Sequence, residues 1–540
     1  MPKRKTLLIP VTGSISVPIA RTLVMGLILT GTATPVQAGS SDWAKYFNPI
    51  PQKSYVNKSQ DREIKKKAFK TDKAIDNKPI PNKEVGLFAV LSSADIADSN
   101  SVESVLKDSQ VNGISVLIPW RLLEPSEEQY DWKALDDILG LCKQANKYLI
   151  LRVSTCGLSK GDADSDTPDW VYKAGVKYIE YKDQDGKLRK MPIFWDTQYL
   201  AKWSNFIQAL GERYDKNSAL HSVGITGGGI LGSTLVVPDM LKDKENYSKL
   251  EDELTHQHGM SQRQLVTHWK YVADLFPKAF PTARLNFDID PPTPNRAGQD
   301  TLDEISDYLV FRYGQRIFLT RQNVRDAKHG FDEYRVILKF KADTFTGYEL
   351  ASGFDQEDWE KMAKNALDDG VSFVEVPKEY LAEDNKAAAE ALSKLQEHLG
   401  YQLVLKSADI DRSLKAGEPL KASLSFLNAG SSTPKAASRQ LDKDVSASYQ
   451  VGFEIKDTNG KPIVVSVQTP PIPTNQWIAG KPVTWEEKYR LTALKPGEYT
   501  INLCVIDKQS KRRLQILDGT KDGADVPQAE VSLGKLTVSE

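Results

Sequence analysis

The chain is short of the residues that usually tie exported domains together or hold metals. Three cysteines, Cys142, Cys156 and Cys504, occur in 540 residues. A disulfide framework is therefore excluded, and buried apolar surface must hold the fold. Cys142 and Cys156 fall where a helix thiol can meet one placed after the next strand, though buried free thiols are the preferred reading. Histidine is scarce, with six in the chain. His256 and His258 stand two apart without acidic or Cys partners at a useful spacing, so they predict no metal site. Asp162, Asp164 and Asp166 imitate a calcium loop. The Gly that such a loop needs is missing, and Lys173 stands where its closing Glu belongs. Gly227–Gly229 lack a following G-K-S/T, which excludes a phosphate loop and leaves a close turn as their role. No metal and no cofactor is expected. Neither charge sign dominates: 71 Lys+Arg face 72 Asp+Glu. That balance gives no reason to expect nucleic acid or an anionic membrane as partner.

Long apolar runs are also missing. The N-terminus carries Lys3, Arg4, Lys5 and Arg21, then Leu23–Leu29, then Val36-Gln37-Ala38 before Gly39. This reads as a signal peptide over 1–38. Its apolar run is far shorter than the ~20 residues of a spanning helix. No cysteine follows the cleavage site at once, so no lipid anchor is expected there. The expected destination is the periplasm or the extracellular space, with no membrane span after cleavage. Residues 39–83 hold Lys65–Lys67, Pro79 and Pro81 but little apolar periodicity, and predict a disordered Lys-rich linker.

What is present is an alternation. Short apolar runs at Val85–Leu91, Ile114–Ile118, Leu149–Val153, Val223–Thr226, Leu285–Ile289, Ile317–Leu319, Phe345–Leu350 and Val371–Val376 alternate with helical patterns such as Tyr199–Tyr214 and Ser261–Phe276. Eight such units over 84–400 predict an α/β fold, a (β/α)8 barrel. The runs are continuous, as suits parallel strands covered on both faces. Tyr334–Phe340 reads as a helix or as strand seven; the helix is preferred, because Gly347 and the loop after it then reach the barrel mouth. Tyr178–Tyr181, Asp185-Gly186 and Leu188–Met191 predict a hairpin after strand three. Over 401–540 the rhythm becomes short strands between turns, which predicts an all-β sandwich.

Trp120, Glu124-Pro125, Tyr130-Asp131-Trp132 and Leu135-Asp136 follow the run Ile114–Ile118 and precede an amphipathic stretch. This segment resembles the second strand and helix of clan-A glycoside hydrolases, especially the β-galactosidase-like branches. Leu494-Lys495-Pro496-Gly497-Glu498-Tyr499 and Asn428-Ala429-Gly430 resemble loops of immunoglobulin-like domains. From Val85 onward the chain resembles exported bacterial proteins that join such a barrel to such a sandwich. The resemblance implies a carbohydrate ligand, with an acid/base Glu ending strand four and a nucleophilic Glu ending strand seven.

Strand four here runs into Gly227–Gly229 and on to Pro238 without a carboxylate before Asp239, and Thr234 stands where the family's Glu belongs. A threonine hydroxyl cannot act as a general acid near neutral pH. Glu349 falls at the nucleophile's place, and Glu375 lies inside strand eight; both are the candidate catalytic carboxyls. A rim carboxylate bonding a neighbouring Arg is the other reading of Glu349, and a barrel-lining salt bridge the other reading of Glu375. A second acid would come from strand five, Glu124 or Asp239. Candidate ligand-binding groups are Trp120, Trp170 and Trp195 for stacking, with core packing the equal alternative for each, Arg152 ending strand three, Asp288 and Asp290 ending strand five, and Arg321, Gln322 and Asn323 following strand six. Two functions stay open: an exported glycoside hydrolase-like protein acting on or binding a poly- or oligosaccharide, and a non-catalytic binding or envelope scaffold protein.

Overall fold

The computed structural model describes residues 85–156, 164–182, 186–229, 235, 250, 252–293, 296–324, 332–381, 385–435, 448–491, 494–507, 512–521 and 526–540. The signal-like segment, the Lys-rich stretch, Thr234 and Asp239 lie outside the described residues.

Eight parallel strands close on themselves. They are β1 Gly86–Leu91, β2 Gly113–Pro119, β3 Tyr148–Ser154, β4 Leu220–Gly224, β5 Arg284–Asp288, β6 Ile317–Val324, β7 Phe345–Leu350 and β8 Phe373–Pro377. Each pairs with its sequence neighbours, and β1 pairs with β8 to complete the ring. Parallel pairing needs a crossover after each strand, and helices supply it. They include Lys133–Gln144, Thr197–Tyr214, Gln262–Ala279, Gln356–Asp369 and Lys386–His398. Their starts are written locally: Asp196 accepts from the Gln198 and Tyr199 amides, and Asp355 with Asp358 forms a capping box. Gly370 ends the Gln356–Asp369 helix in the left-handed region. No helix among the described residues is long and apolar enough to cross a membrane.

The expected order of elements holds, including the helix Asp332–Phe340 before β7 and the hairpin Tyr178–Lys182 with Leu188–Pro192. Strand four differs: it starts at Leu220, three residues before the expected Val223. Its polar residues hid it, because the His221 ring is buried among Phe88, Phe318 and Phe373. Those rings, with Tyr148 and Phe345, fill the N-terminal end of the barrel. Gly347 makes room for them, since a Cβ there would lie 2.3 Å from the Phe373 ring.

After His398 the chain forms two antiparallel-rich sheets. One contains Leu403–Ile410, Leu420–Asn428, Pro482–Tyr489 and Ile516–Asp518; the other contains Ser413–Lys415, Gln450–Lys456, Pro462–Gln468, Gly497–Ile506 and Val531–Ser539. Leu405, Leu424 and Phe426 of the first share a core with Val451, Phe453 and Leu503 of the second. The Tyr499 hydroxyl donates to the Lys495 carbonyl at 2.9 Å. This β-rich region packs on the N-terminal end of the barrel. Buried Lys435 donates from Nζ to the Lys341 carbonyl at 2.8 Å, and its ammonium lies 5.4 Å from the Phe345 ring centre. The C-terminal strand ends are left on the opposite side.

Candidate functional site

Side chains from β2, β3, β5, β7 and β8 meet inside the barrel at its C-terminal end, where barrels of this kind carry ligands. Arg152 of β3 stands at the centre and is buried. Its Nε donates to Asp288 Oδ2 at 2.9 Å, and its Nη2 donates to Asp288 Oδ1 at 2.8 Å and to Glu375 Oε1 at 2.8 Å. Its Nη1 donates to Glu375 Oε2 at 2.6 Å and to the Ser115 hydroxyl at 3.0 Å. A guanidinium has five N–H donors, and these five bonds engage them all. The Ser115 hydroxyl donates in turn to Glu375 Oε2 at 2.5 Å. Gln322 of β6 donates to Asp288 Oδ2 at 2.7 Å.

Two glycines let this cluster form. A Cβ on Gly224 would lie 2.7 Å from Arg152 Cγ, so β4 must present bare backbone to the arginine stem. Gly347, one inward position before Glu349 on β7, clears the layer beneath.

Glu349 is the outlier. Strand register sets it directly beside Glu375, and alternation gives both the same inward face. Yet no hydrogen bond or ion pair holds its carboxyl group among the described residues, and it is only half-buried. Burial, then the negative charge of Glu375, pushes its pKa up to about 8; Asp288 and Asp290 add to the rise, and Arg152 opposes it. Glu349 therefore carries its proton at neutral pH, while Arg152 is held firmly charged by Asp288 and Glu375.

The other candidates fall differently. Arg152 was expected to bind ligand hydroxyls or carboxylates; with every donor engaged it has none to offer. Glu375 was a candidate catalytic carboxyl; it is fully buried, and Arg152 and Ser115 hold it as the barrel-lining salt bridge that was its other reading. Asp288 is likewise held by Arg152 and Gln322, whereas Asp290 is half-buried near Glu349. Trp120 was a stacking candidate with core packing as its equal alternative, and the structure gives core packing. It is wholly buried against Trp170, Tyr199, Trp203 and Phe206, and its indole donates to Glu124 Oε2 at 2.8 Å. Glu124 also accepts the Glu128 amide, so it braces this rim loop. Trp170 and Trp195 donate to the Glu124 and His258 carbonyls at 3.0 Å and 2.8 Å; Trp170 keeps partial exposure, and Trp195 little. Arg321 and Asn323 lie within β6, not after it. Thr320 and Gln322 bond inward to Asn286 and Asp288, so alternation turns Arg321 toward the helices. The Asn323 side chain lies outside the described residues. The three cysteines are buried and unbridged.

Ser115 and Gly224 were not expected in the site, whereas Gln322 was a recognition candidate and bonds the Asp288 carboxylate. Nothing in an apolar strand run marks a serine as the partner of a glutamate 260 positions away.

Over residues 98–227 the chain matches the glycoside hydrolase 42 family model, described as Beta-galactosidase. That stretch runs from the helix after β1 to the turn after β4. Among solved structures, the catalytic domain of beta-amylase from Paenibacillus polymyxa is similar at 13% identity, covering 58% of this chain and 97% of that one, with a TM-score of 0.41. Beta-galactosidase from the psychrophilic Marinomonas ef1 is similar at 13% identity, covering 58% of this chain and 59% of that one, with a TM-score of 0.36. No curated protein matches in sequence. The chain is thus an eight-stranded parallel barrel, glycoside hydrolase-like between residues 98 and 227, followed by a β-rich region.

Proposed function

We propose that this protein is an exported, glycoside hydrolase-like carbohydrate-binding protein that takes a poly- or oligosaccharide at the C-terminal mouth of its barrel. Hydrolysis by the family's usual route needs two carboxyl groups flanking the bond, one donating a proton and one attacking or activating water. The observation that carries the reading is the Arg152 cluster. It locks Glu375 and Asp288 into buried ion pairs, so Glu349 is the one carboxyl of that cluster that no group among the described residues holds. The described end of strand four, Ile225-Thr226-Gly227-Gly228-Gly229, offers no carboxylate either. The C-terminal region fits an immunoglobulin-like module by its two sheets and by the Tyr499 to Lys495 bond, and serves in this reading as the base on which the barrel stands.

One observation favours a second reading, slow hydrolysis. Burial and the neighbouring Glu375 raise the pKa of Glu349, while Arg152 holds Glu375 in an ion pair, and two carboxyls set apart in this way are what a general acid requires. The two readings separate in one experiment. The full chain is incubated with a panel of bacterial and plant polysaccharides and assayed for co-sedimentation and for new reducing ends, with Glu349→Gln in parallel. Binding without new ends is expected. New reducing ends that vanish in Glu349→Gln would establish hydrolysis instead, and the absence of both would reject the carbohydrate reading.

A further inference from the structure

The two sheets of the β-rich region leave four edges among the described residues, and three are guarded. Pro482–Tyr489 carries Glu486, Glu487 and Lys488. Ser413–Lys415 and Ile516–Asp518 are only 3 residues long, and Gln528 exchanges backbone hydrogen bonds with Ile516 on the open side of the second. Charge, shortness and cover are usual defences of a sheet edge against pairing with another chain. The fourth edge, Pro462–Gln468, has almost none of them. Its sequence Pro-Ile-Val-Val-Ser-Val-Gln carries no charge, and the proline guards only the first position. None of its residues is buried, and Ile463 is 43% exposed. No backbone hydrogen bond among the described residues reaches its outer side.

We propose that this edge pairs with the same edge of a second copy of the chain, antiparallel about a two-fold axis at Val465. Backbone direction sets the register. A Cβ on Gly452 would lie 2.1 Å from the Ser466 carbonyl oxygen, so Ser466 turns its backbone groups toward the neighbouring strand Gln450–Lys456. That direction alternates from residue to residue in an antiparallel pair. Ile463, Val465 and Val467 therefore present their N–H and C=O groups to the open side. The two-fold sets Val465 against Val465 of the copy and Ile463 against Val467. Every open donor of these residues then meets an open acceptor.

The side chains agree with this register. Val464 packs on the core shared by the two sheets, so alternation sends Ile463, Val465 and Val467 to the outer face. Across the two-fold these β-branched side chains stand opposite one another, as stabilising cross-strand pairs do. Charge selects the occupant. An uncharged strand offers nothing to an acidic or basic peptide, and self-pairing sets Lys461 opposite Thr469, so no like charges meet. One strand pair covers less than the roughly 1,200–2,000 Å² of a stable interface. The second copy therefore joins reversibly, and its share rises with concentration.

The test is sedimentation velocity of the full chain over about 1–100 μM, the range in which a weak interface forms. The dimer fraction is expected to rise across it. Val465→Lys places like charges on the axis. Val465→Pro removes an outward N–H that the sheet itself does not use. Each should weaken association about tenfold or more while thermal melts stay unchanged. Cross-linking checks the register, and the native thiols are buried and will not interfere. Val465→Cys should form a disulfide with its own copy on mild oxidation, at the ~5.5 Å Cα spacing of a hydrogen-bonded pair. Ile463→Cys should not do so alone, but should when mixed with Val467→Cys. Should either Val465→Lys or Val465→Pro lower the melt, these cross-links decide. A monomer at every concentration would overturn the proposal, and in that case hydrogen exchange at the Ile463, Val465 and Val467 amides tells an empty edge from one covered by a segment of the same chain. A dimer that both Val465 variants leave intact, or that cross-links in another register, would overturn it too.

Discussion

At the scale of single residues, Arg152 and Glu349 are opposite cases of a buried charge. Arg152 is stabilised by two carboxylates that it also stabilises. Breaking such a cluster leaves uncompensated buried charge, which costs roughly 3–5 kcal/mol. Arg152→Met is therefore expected to lower stability by about that much in urea unfolding at pH 8. The loss should shrink toward pH 5, because the orphaned Asp288 and Glu375 then relieve their repulsion by taking up protons. Glu349 gives the reverse dependence in the wild type. Its pKa is about 8 in the folded chain against an ordinary 4.5. Between those values the folded state holds a proton that the unfolded state has lost, so stability is full below about pH 4.5 and declines as pH rises toward 8. Glu349→Gln should remove that slope. The variant should match the wild type at pH 4 and exceed it by roughly 2–4 kcal/mol at pH 9. A variant less stable at pH 9 would show that Glu349 is ionised and paired in the folded chain.

At the scale of elements, the inward layers of the barrel depend on alternating large and small residues. Gly347 of β7 lies against Phe373 of β8, and the methyl of Gly347→Ala would have to displace that ring. Overpacking of this kind costs about 1–3 kcal/mol. Phe373→Leu in the same chain should recover part of the loss, and a double-mutant cycle over thermal melts measures the coupling. The same alternation explains what was legible in the sequence. Val336, Ile337 and Phe340 recur at helical spacing and are buried, so the segment before β7 reads as a helix and Glu349 lands on the inward face. Strand four was misplaced because His221 and Ser222 are polar, although both are buried. In the β-rich region Glu486, Glu487 and Lys488 interrupt the apolar pattern of the strand Pro482–Tyr489, so its extent is not legible from local pattern. The acidic and basic members of the site were legible as strand-end residues. Their pairing was not: Arg152 reaches partners 136 and 223 positions away, and local pattern carries no information about which inward side chains meet across a closed barrel. Ser115 was invisible for the same reason, and Trp120 looked like a binding residue because sequence cannot tell a buried strand end from an open one.

At the scale of the whole molecule, one end of the barrel gathers the Arg152 cluster and the other meets the β-rich region, and Lys435 sits in the second. It is fully buried, donates to the Lys341 and Thr433 carbonyls and to the Thr433 hydroxyl, and lies over Phe345. Burial lowers its pKa to about 7, opposed by Asp343 and reinforced by Lys341. The sign follows from linkage. Between pH 7 and the ordinary 10.5 the unfolded chain holds a proton that the folded chain lacks, so this residue makes stability rise with pH over that window. Below pH 7 the ammonium is charged in both states, and the fold carries the cost of burying it. Lys435→Met keeps the length and apolar stem of the side chain and removes the charge, a change that is often neutral or stabilising when the buried ion lacks an ionic partner in good geometry. The variant should therefore unfold at a higher temperature than the wild type at pH 6, and its gain should diminish steadily toward pH 10. Thermal melts followed at both the barrel's tryptophans and those of the β-rich region would check this. A variant less stable at every pH would mean that the bonds from Nζ to Lys341 and Thr433 outweigh the buried charge, and that Lys435 is a true tie between the barrel and the region beneath it.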